Sequence, residues 1–154
     1  MIRFASLGSG SEGNALVVEA GRSRLLLDCG FSATETERRL ARLGLEPAGL
    51  DAILVTHEHD DHVGGVGRFS RKFDIPVYLS HGTYAAVTAA RSEFAAVEII
   101  DSHSPFAIGD IAVFPYPVPH DAREPTQFVF GDGAARVGVL TDAGASTPHI
   151  EAML

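Results

Sequence analysis

The sequence predicts an α+β domain whose polar functional groups gather at the ends of strands. Three observations predict it. Short apolar runs of strand length, such as Arg24-Leu25-Leu26-Leu27-Asp28 and Ala52-Ile53-Leu54-Val55, stop at acids, glycines or histidines. Helical patterns lie between the early runs, whereas the later part of the chain turns to hairpins. Finally Asp28, the stretch His57 to His62, His120 and Asp142 all stand where an apolar run ends. Groups collected in this way build one site from distant parts of a chain, on loops held by a rigid scaffold.

Taken in order, residues 2–7 and 14–19 predict two strands joined by Gly8-Ser9-Gly10-Ser11-Glu12-Gly13. That glycine- and serine-rich turn either offers backbone N–H groups to an anion or is a plain hairpin connection. Residues 24–28 predict a third strand, ending in Asp28, Cys29 and Gly30. Asp28 there either caps local backbone or orients a site. Ser32 to Leu43 predicts a helix: Ser32 and Glu35 form a capping-box pattern, Thr36, Leu40 and Leu43 share a face, and Gly44 ends it. Arg38, Arg39 and Arg42 read as a solvated face first and a substrate patch second.

Past the central histidines, a short helix over residues 68–73, a strand at 76–79, a helix at 84–90 and a strand at 97–100 are expected. His81, at a helix start, reads as a capping or surface residue. Residues 106–114 predict a hairpin with a Gly109-Asp110 turn, continued by Pro115 to Pro119 as an edge or irregular strand, since proline lacks a donor. A second hairpin, 127–130 with 135–140, ends at Thr141-Asp142-Ala143-Gly144, and a final helix starts near Pro148.

At 154 residues, one domain spanning 1–154 is expected, large enough for a real core. No apolar run is long enough to span a membrane, and the first residues read as a strand rather than a signal peptide. A single cysteine, Cys29, allows no internal disulfide, so a cytoplasmic setting is expected and Cys29 reads as a small buried hydrophobe. The net charge of -8 argues against a broad basic surface gripping nucleic acid. Two divalent cations would bring the total from -8 to about -4 and concentrate positive charge in a cleft, so a nucleic acid held locally remains compatible.

The densest signal is Thr56-His57-Glu58-His59-Asp60-Asp61-His62, in a strand-to-helix loop. Residues two apart in an extended loop point the same way, so His57 and His59 can share one metal ion. Asp61 and His62 lie past the bend, which suits a second ion, and Asp61 suits the positive end of a helix. Imidazole and carboxylate without thiolate favour zinc, with manganese or iron as alternatives. Three of the seven histidines fall within six positions, which a chance polar loop does not explain.

The pattern His57-x-His59-x-Asp61-His62 after an apolar strand resembles the signature of the metallo-β-lactamase superfamily of metallohydrolases. The opening Ser9-Gly10-Ser11-Glu12-Gly13-Asn14, Leu27-Asp28-Cys29-Gly30, Phe106 to Asp110, Pro119-His120-Asp121-Ala122 and Thr141-Asp142-Ala143-Gly144 resemble its YycJ/WalJ-type branch, which is similar to DNA exonucleases. The resemblance implies an αββα sandwich and a site for two divalent metal ions. It implies that His57, His59 and His120 hold the first ion, Asp61 and His62 the second, and that Asp142 bridges both. It makes Asp28 a supporting group behind the ligands and Asp61 also the catalytic residue that orients a hydroxide nucleophile. It implies a substrate that is nucleic acid or a small phosphodiester.

The resemblance also expects a further histidine and later strands after Asp142, so the C-terminal part of the sandwich is expected to be missing. An incomplete sheet leaves an exposed edge, and self-association is expected from it. Two other functions compete with a phosphodiesterase: a thioester or ester hydrolase on the same site, and a catalytically silent truncated metal-binding domain.

Overall fold

The computed structural model describes residues 1–90 and 94–139. Ile2–Gly8 (β1), Ala15–Ala20 (β2) and Ser23–Leu27 (β3) each run antiparallel to the next. From β3 onward the same sheet continues in parallel through Ala52–Leu54 (β4), Val77–Ser80 (β5) and Val97–Ile100 (β6). Parallel neighbours need crossover connections, and helices supply them: Ala33–Arg42 (α1), Asp60–Val63 (α2) with Val66–Phe73 (α3), and His81–Ala90 (α4). Phe106–Ile108 (β7), Ile111–Pro117 (β8), Thr126–Gly131 (β9) and Arg136–Gly138 (β10) form a second, antiparallel sheet in the order β10-β9-β8-β7.

Alternation along the central strands divides the core. Val17, Leu26, Ile53 and Val55 face the helices and pack with Leu40 of α1 and Phe69 of α3. Val18, Leu25, Leu27, Ala52 and Leu54 face the other way, against Ile111, Val113, Phe128 and Phe130 of the second sheet. A strand whose two faces are both buried reads as a continuous apolar run, which is why residues 24–27 and 52–55 lack polar alternation. Helices, mixed sheet and antiparallel sheet thus stack as three layers of an α+β sandwich. On the outer face of the second sheet Tyr116, Val118 and Val129 are also buried, and the Tyr116 hydroxyl donates to the Val139 carbonyl at 2.6 Å. The final helix expected from Pro148 onward lies outside the described residues.

Several local expectations need correction. Only half of the capping box forms: Ser32 Oγ accepts from Glu35 N at 3.2 Å, while the Glu35 carboxylate turns outward to Arg38 and Arg39. Those two guanidiniums hold the Glu35 carboxyl down at about 2. Leu43 is exposed rather than on the buried face, because it is the cap residue at which the helix unwinds. Arg39 is not simply solvated: it lies 4.0 Å over the Phe31 ring and donates to the Leu7 carbonyl. α4 begins at His81, three residues earlier than expected, with His81 exposed. β8 pairs with β9 through Pro117, but β7 ends opposite Val113, so beyond it one flank of β8 has no ladder for the prolines to interrupt. Among the described residues, no helix is long and apolar enough to cross a membrane.

Candidate metal centre

The motif loop begins where β4, a strand of the first sheet, ends beside the second. Val55 N still bonds the Tyr78 carbonyl at 3.0 Å, and the next residue, Thr56, gives its carbonyl to Thr126 N at the start of β9, at 2.9 Å. Thr56 and His57 are buried, so the histidines leave the scaffold from a point fixed on both sides. The backbone bends at Glu58, is extended at His59 and then enters the single turn of α2.

His57 and His59, two apart on either side of the Glu58 bend, meet with ring centroids 4.7 Å apart. His120, from the loop after β8, closes the group at 4.6 Å from His57 and 4.8 Å from His59. One ligand atom from each of the three lies within 4.8 Å of the others, and His120 Nε2 stands 3.3 Å from His59 Nδ1. His62 sits beside them, its ring centroid 4.2 Å from that of His57. Its Nε2 lies 3.6 Å from Asp61 Oδ2, so Asp61 and His62 form a second pair of converging donors.

Asp28 organises both groups from behind. It follows β3 in a left-handed conformation, φ 60°, which aspartate tolerates better than most residues. Its Oδ1 accepts Thr56 N at 2.8 Å, and its Oδ2 accepts Thr56 Oγ1 at 2.8 Å and faces His62 Nδ1 at 2.6 Å. Burial raises the Asp28 carboxyl above the usual carboxylate range, and the bonds from His62 and Thr56 oppose that rise.

The chain of bonds assigns the ring tautomers. With Nδ1 donating to Asp28, a neutral His62 ring carries its lone pair on Nε2, facing Asp61. Thr56 spends its hydroxyl hydrogen on Asp28 and so accepts from His57 Nδ1, 2.8 Å away. His57 therefore also turns a lone pair outward on Nε2, among the rings of His59 and His120. Neutral imidazoles oriented by a carboxylate are what a divalent cation of the zinc type requires, so the donor set fits a metal.

Asp61 and His62 ride on a helix of four residues, too short to be stable alone. Its carbonyls find partners elsewhere: Asp61 O accepts Asn14 N at 2.8 Å, and His62 O accepts Cys29 N at 2.8 Å. Gly30 permits the approach, since a Cβ there would collide with the Asp61 carbonyl.

Of the expected site residues, Asp28, His57, His59, Asp61, His62 and His120 therefore come together; Asp142 lies outside the described residues. Cys29 turns away from the histidines, as a small buried side chain against Thr36 Oγ1 at 3.2 Å. Asn14, Thr56 and Glu58 carry roles that the sequence did not disclose. Thr56 sets a tautomer, and Glu58 Oε2 accepts Arg123 N at 3.0 Å beside the His120 loop. Adjacency to the motif was the one available signal for Thr56 and Glu58. A cleft of about 710 Å³ lies on the helix side of the loop, lined by Glu58, Asp60, Arg68 and Arg71 among others, and not by the histidines.

A helix-backed pair of sheets carrying this histidine-aspartate constellation at strand ends defines a class of metallohydrolase fold. The chain belongs to the metallo-β-lactamase superfamily, which it matches over residues 8–154. It is 32% identical to the exodeoxyribonuclease YycJ of Bacillus anthracis, over 99% of this chain and 59% of that protein. It is 33% identical to the exodeoxyribonuclease WalJ of Streptococcus pneumoniae, over 92% of this chain and 54% of that protein. The chain thus spans between half and three-fifths of the length of these relatives. Among solved structures, it superposes on the metallo-β-lactamase fold protein YhfI from Bacillus subtilis with a TM-score of 0.71 at 18% identity, covering 89% of this chain and 60% of that one. The superfamily implies divalent metal ions, and the histidine cluster supplies donors for them.

Proposed function

We propose that this chain forms the metal-binding part of a hydrolase that cleaves phosphodiester bonds in nucleic acid. The observation that carries the reading is the convergence of His57, His59 and His120 ligand atoms within 4.8 Å, with the His62 and Asp61 donors alongside. DNA is the polymer for which its YycJ and WalJ relatives are named, and this supports DNA as substrate here. His57, His59 and His120 would hold one divalent cation; Asp61 and His62, with Asp142, would hold a second. Zinc suits this donor set first, with manganese or iron as alternatives. When bound, the cations would supply Lewis acidity at the scissile phosphate and lower the pKa of water. Asp28 keeps His62 and, through Thr56, His57 in the tautomer that binds. Asp61 would orient the attacking water and take up its proton.

The test is cleavage of end-labelled single- and double-stranded DNA with and without a chelator, together with metal content per chain. Cleavage that the chelator abolishes and zinc or manganese restores, and that His59→Ala lacks, is the expected result. Two ions per chain, falling to one in Asp61→Ala, are expected alongside. Hydrolysis of a thioester with no cleavage of DNA would favour the ester hydrolase, and metal binding without either activity would favour the silent domain. Self-association belongs to the same reading of the fold. The edge strands β1 and β6 expose Phe4 and Ile99, 60% and 48% accessible, and a clean monomer by light scattering would remove it. A cytoplasmic setting belongs to the same proposal, supported by the single cysteine of the sequence.

A further inference from the structure

Asp61 is held from a direction that the metal-ligand pattern does not include. Asn14 closes the glycine- and serine-rich turn between β1 and β2, 47 residues away in sequence, and touches Asp61 three times. Its backbone N–H donates to the Asp61 carbonyl at 2.8 Å. One hydrogen of its side-chain Nδ2 is shared between the same carbonyl at 3.0 Å and the carboxylate oxygen Oδ2 at 3.3 Å, the other going to Gly10. That Oδ2 is the atom standing 3.6 Å from His62 Nε2.

The Asn14 amide is itself locked. Its Oδ1 accepts Gly10 N at 3.1 Å and its Nδ2 donates to the Gly10 carbonyl at 2.8 Å, a two-point clamp that fixes which end of the amide faces Asp61. Gly10 reaches this clamp with φ 126°, a conformation that side-chain-bearing residues avoid. The turn thus has a use other than binding an anion: Gly10 aims the amide, and the amide aims the carboxylate.

We propose that Asn14 is a positioning residue for the second cation site, fixing the Asp61 carboxylate so that Oδ2 and His62 Nε2 stand ready as a donor pair. The inference rests on the two-cation reading above. A hydrogen-bonded partner behind a ligand is worth about ten- to a hundredfold in metal affinity. Removing the Asn14 donor therefore weakens the second ion by about that factor and leaves the His57, His59 and His120 site unaltered.

The experiment is a Zn²⁺ titration of the metal-free protein against a chromophoric chelator, resolving the first ion from the second, on wild type, Asn14→Leu and Gly10→Ala. Thermal melts of each metal-free protein accompany it. Asn14→Leu keeps the size of the side chain and the backbone bonds but has no donor. Gly10→Ala meets no neighbour within 4 Å, so it disturbs the clamp through backbone strain alone. The expected result is a selective loss of second-ion affinity, about ten- to a hundredfold in Asn14→Leu and smaller in Gly10→Ala. If Asn14→Leu fails to fold, Gly10→Ala decides the matter by the same selective loss. Unchanged second-ion affinity, with or without a lower melting temperature, makes Asn14 a structural residue only and overturns the inference. Fewer than two ions on the wild type overturns the two-cation reading and this inference with it.

Discussion

The two halves of the candidate centre are built differently. Asp61 and His62 are carried by backbone: the carbonyls of both residues are bonded by main-chain N–H groups of Asn14 and Cys29, and Gly65 N bonds the Cys29 carbonyl at 2.8 Å in return. His120 is carried by side chains. Its loop is tied down by Glu58 on Arg123 N, by Glu124 Oε1 on Gly82 N at 2.7 Å, and by Ser80 Oγ on the Glu124 carbonyl at 2.9 Å. A backbone lattice holds its main chain in place and leaves side chains such as Asn14 and Asp28 only to aim the donors, whereas a loop pinned by carboxylates depends on them for its position as well. The His120 half should therefore respond to single side-chain changes that leave the Asp61 half intact. The Asp28–Thr56 chain reaches both sets of ligands, through His62 and His57.

The largest effect is expected where the halves join. Asp28→Ala strips the acceptor from Thr56 N, Thr56 Oγ1 and His62 Nδ1, all of them buried. It also leaves alanine at φ 60°, where aspartate is better tolerated. Breaking a buried polar pair from one side costs about 3–5 kcal/mol, which urea denaturation of the metal-free protein would read directly. Asp28→Asn keeps an acceptor for Thr56 N and the tolerance of a positive φ, so it should cost less. A loss below about 1 kcal/mol in Asp28→Ala would mean that the halves do not share this support.

A second test concerns the backbone-built half and uses pH. Cys29 lies under α2, and burial pushes its thiol up to about 11, the bond to Thr36 pulling slightly the other way. In the unfolded chain a cysteine ionises from about 8.5. Between those values the unfolded state holds fewer protons than the folded one, so stability falls as pH rises through that window. The whole window is worth about 3 kcal/mol, at about 1.4 kcal/mol per pH unit. Urea midpoints at pH 8 and pH 10.5 should drop more in wild type than in Cys29→Ala, the difference cancelling the tyrosines and lysines common to both. An equal drop in the two proteins would place the alkaline weakness elsewhere. The same burial predicts that a thiol reagent at neutral pH leaves Cys29 unmodified until the chain unfolds.

What the sequence disclosed follows the same division. His57 and His59 were legible as partners from their spacing of two, although the chain bends at Glu58 between them rather than running extended. Asp28 was legible as a strand-end acid because the apolar run stops at it, although nothing in its neighbours announced a left-handed φ. The two buried faces of β3 and β4 were legible as unbroken apolar runs. The contacts that aim the ligands were not: Asn14 meets Asp61 across 47 residues and Glu58 meets Arg123 across 65. Neither pairing leaves a local periodicity to read. Arg39 misled for a related reason, since a helix-face pattern records charge but not the Phe31 ring that waits beneath it.

The finest test separates the halves outright. Glu58 sits at a bend between His57 and His59, and its side chain reaches the chain after His120. Its single described bond there, to Arg123 N, crosses from the motif loop to the His120 loop. Glu58→Ala removes that bond at a cost of about 1 kcal/mol in stability. The effect on the centre should be larger than the stability change suggests, because a freed loop lets His120 drift from the other two donors. First-ion affinity should fall by about tenfold, as for other lost partners behind a ligand, while second-ion affinity stays put. Glu58→Gln retains an acceptor oxygen for Arg123 N and should keep most of the affinity. Equal weakening of both ions in Glu58→Ala would mean that the loop and α2 move together, and the contrast between a side-chain-built and a backbone-built half would fail.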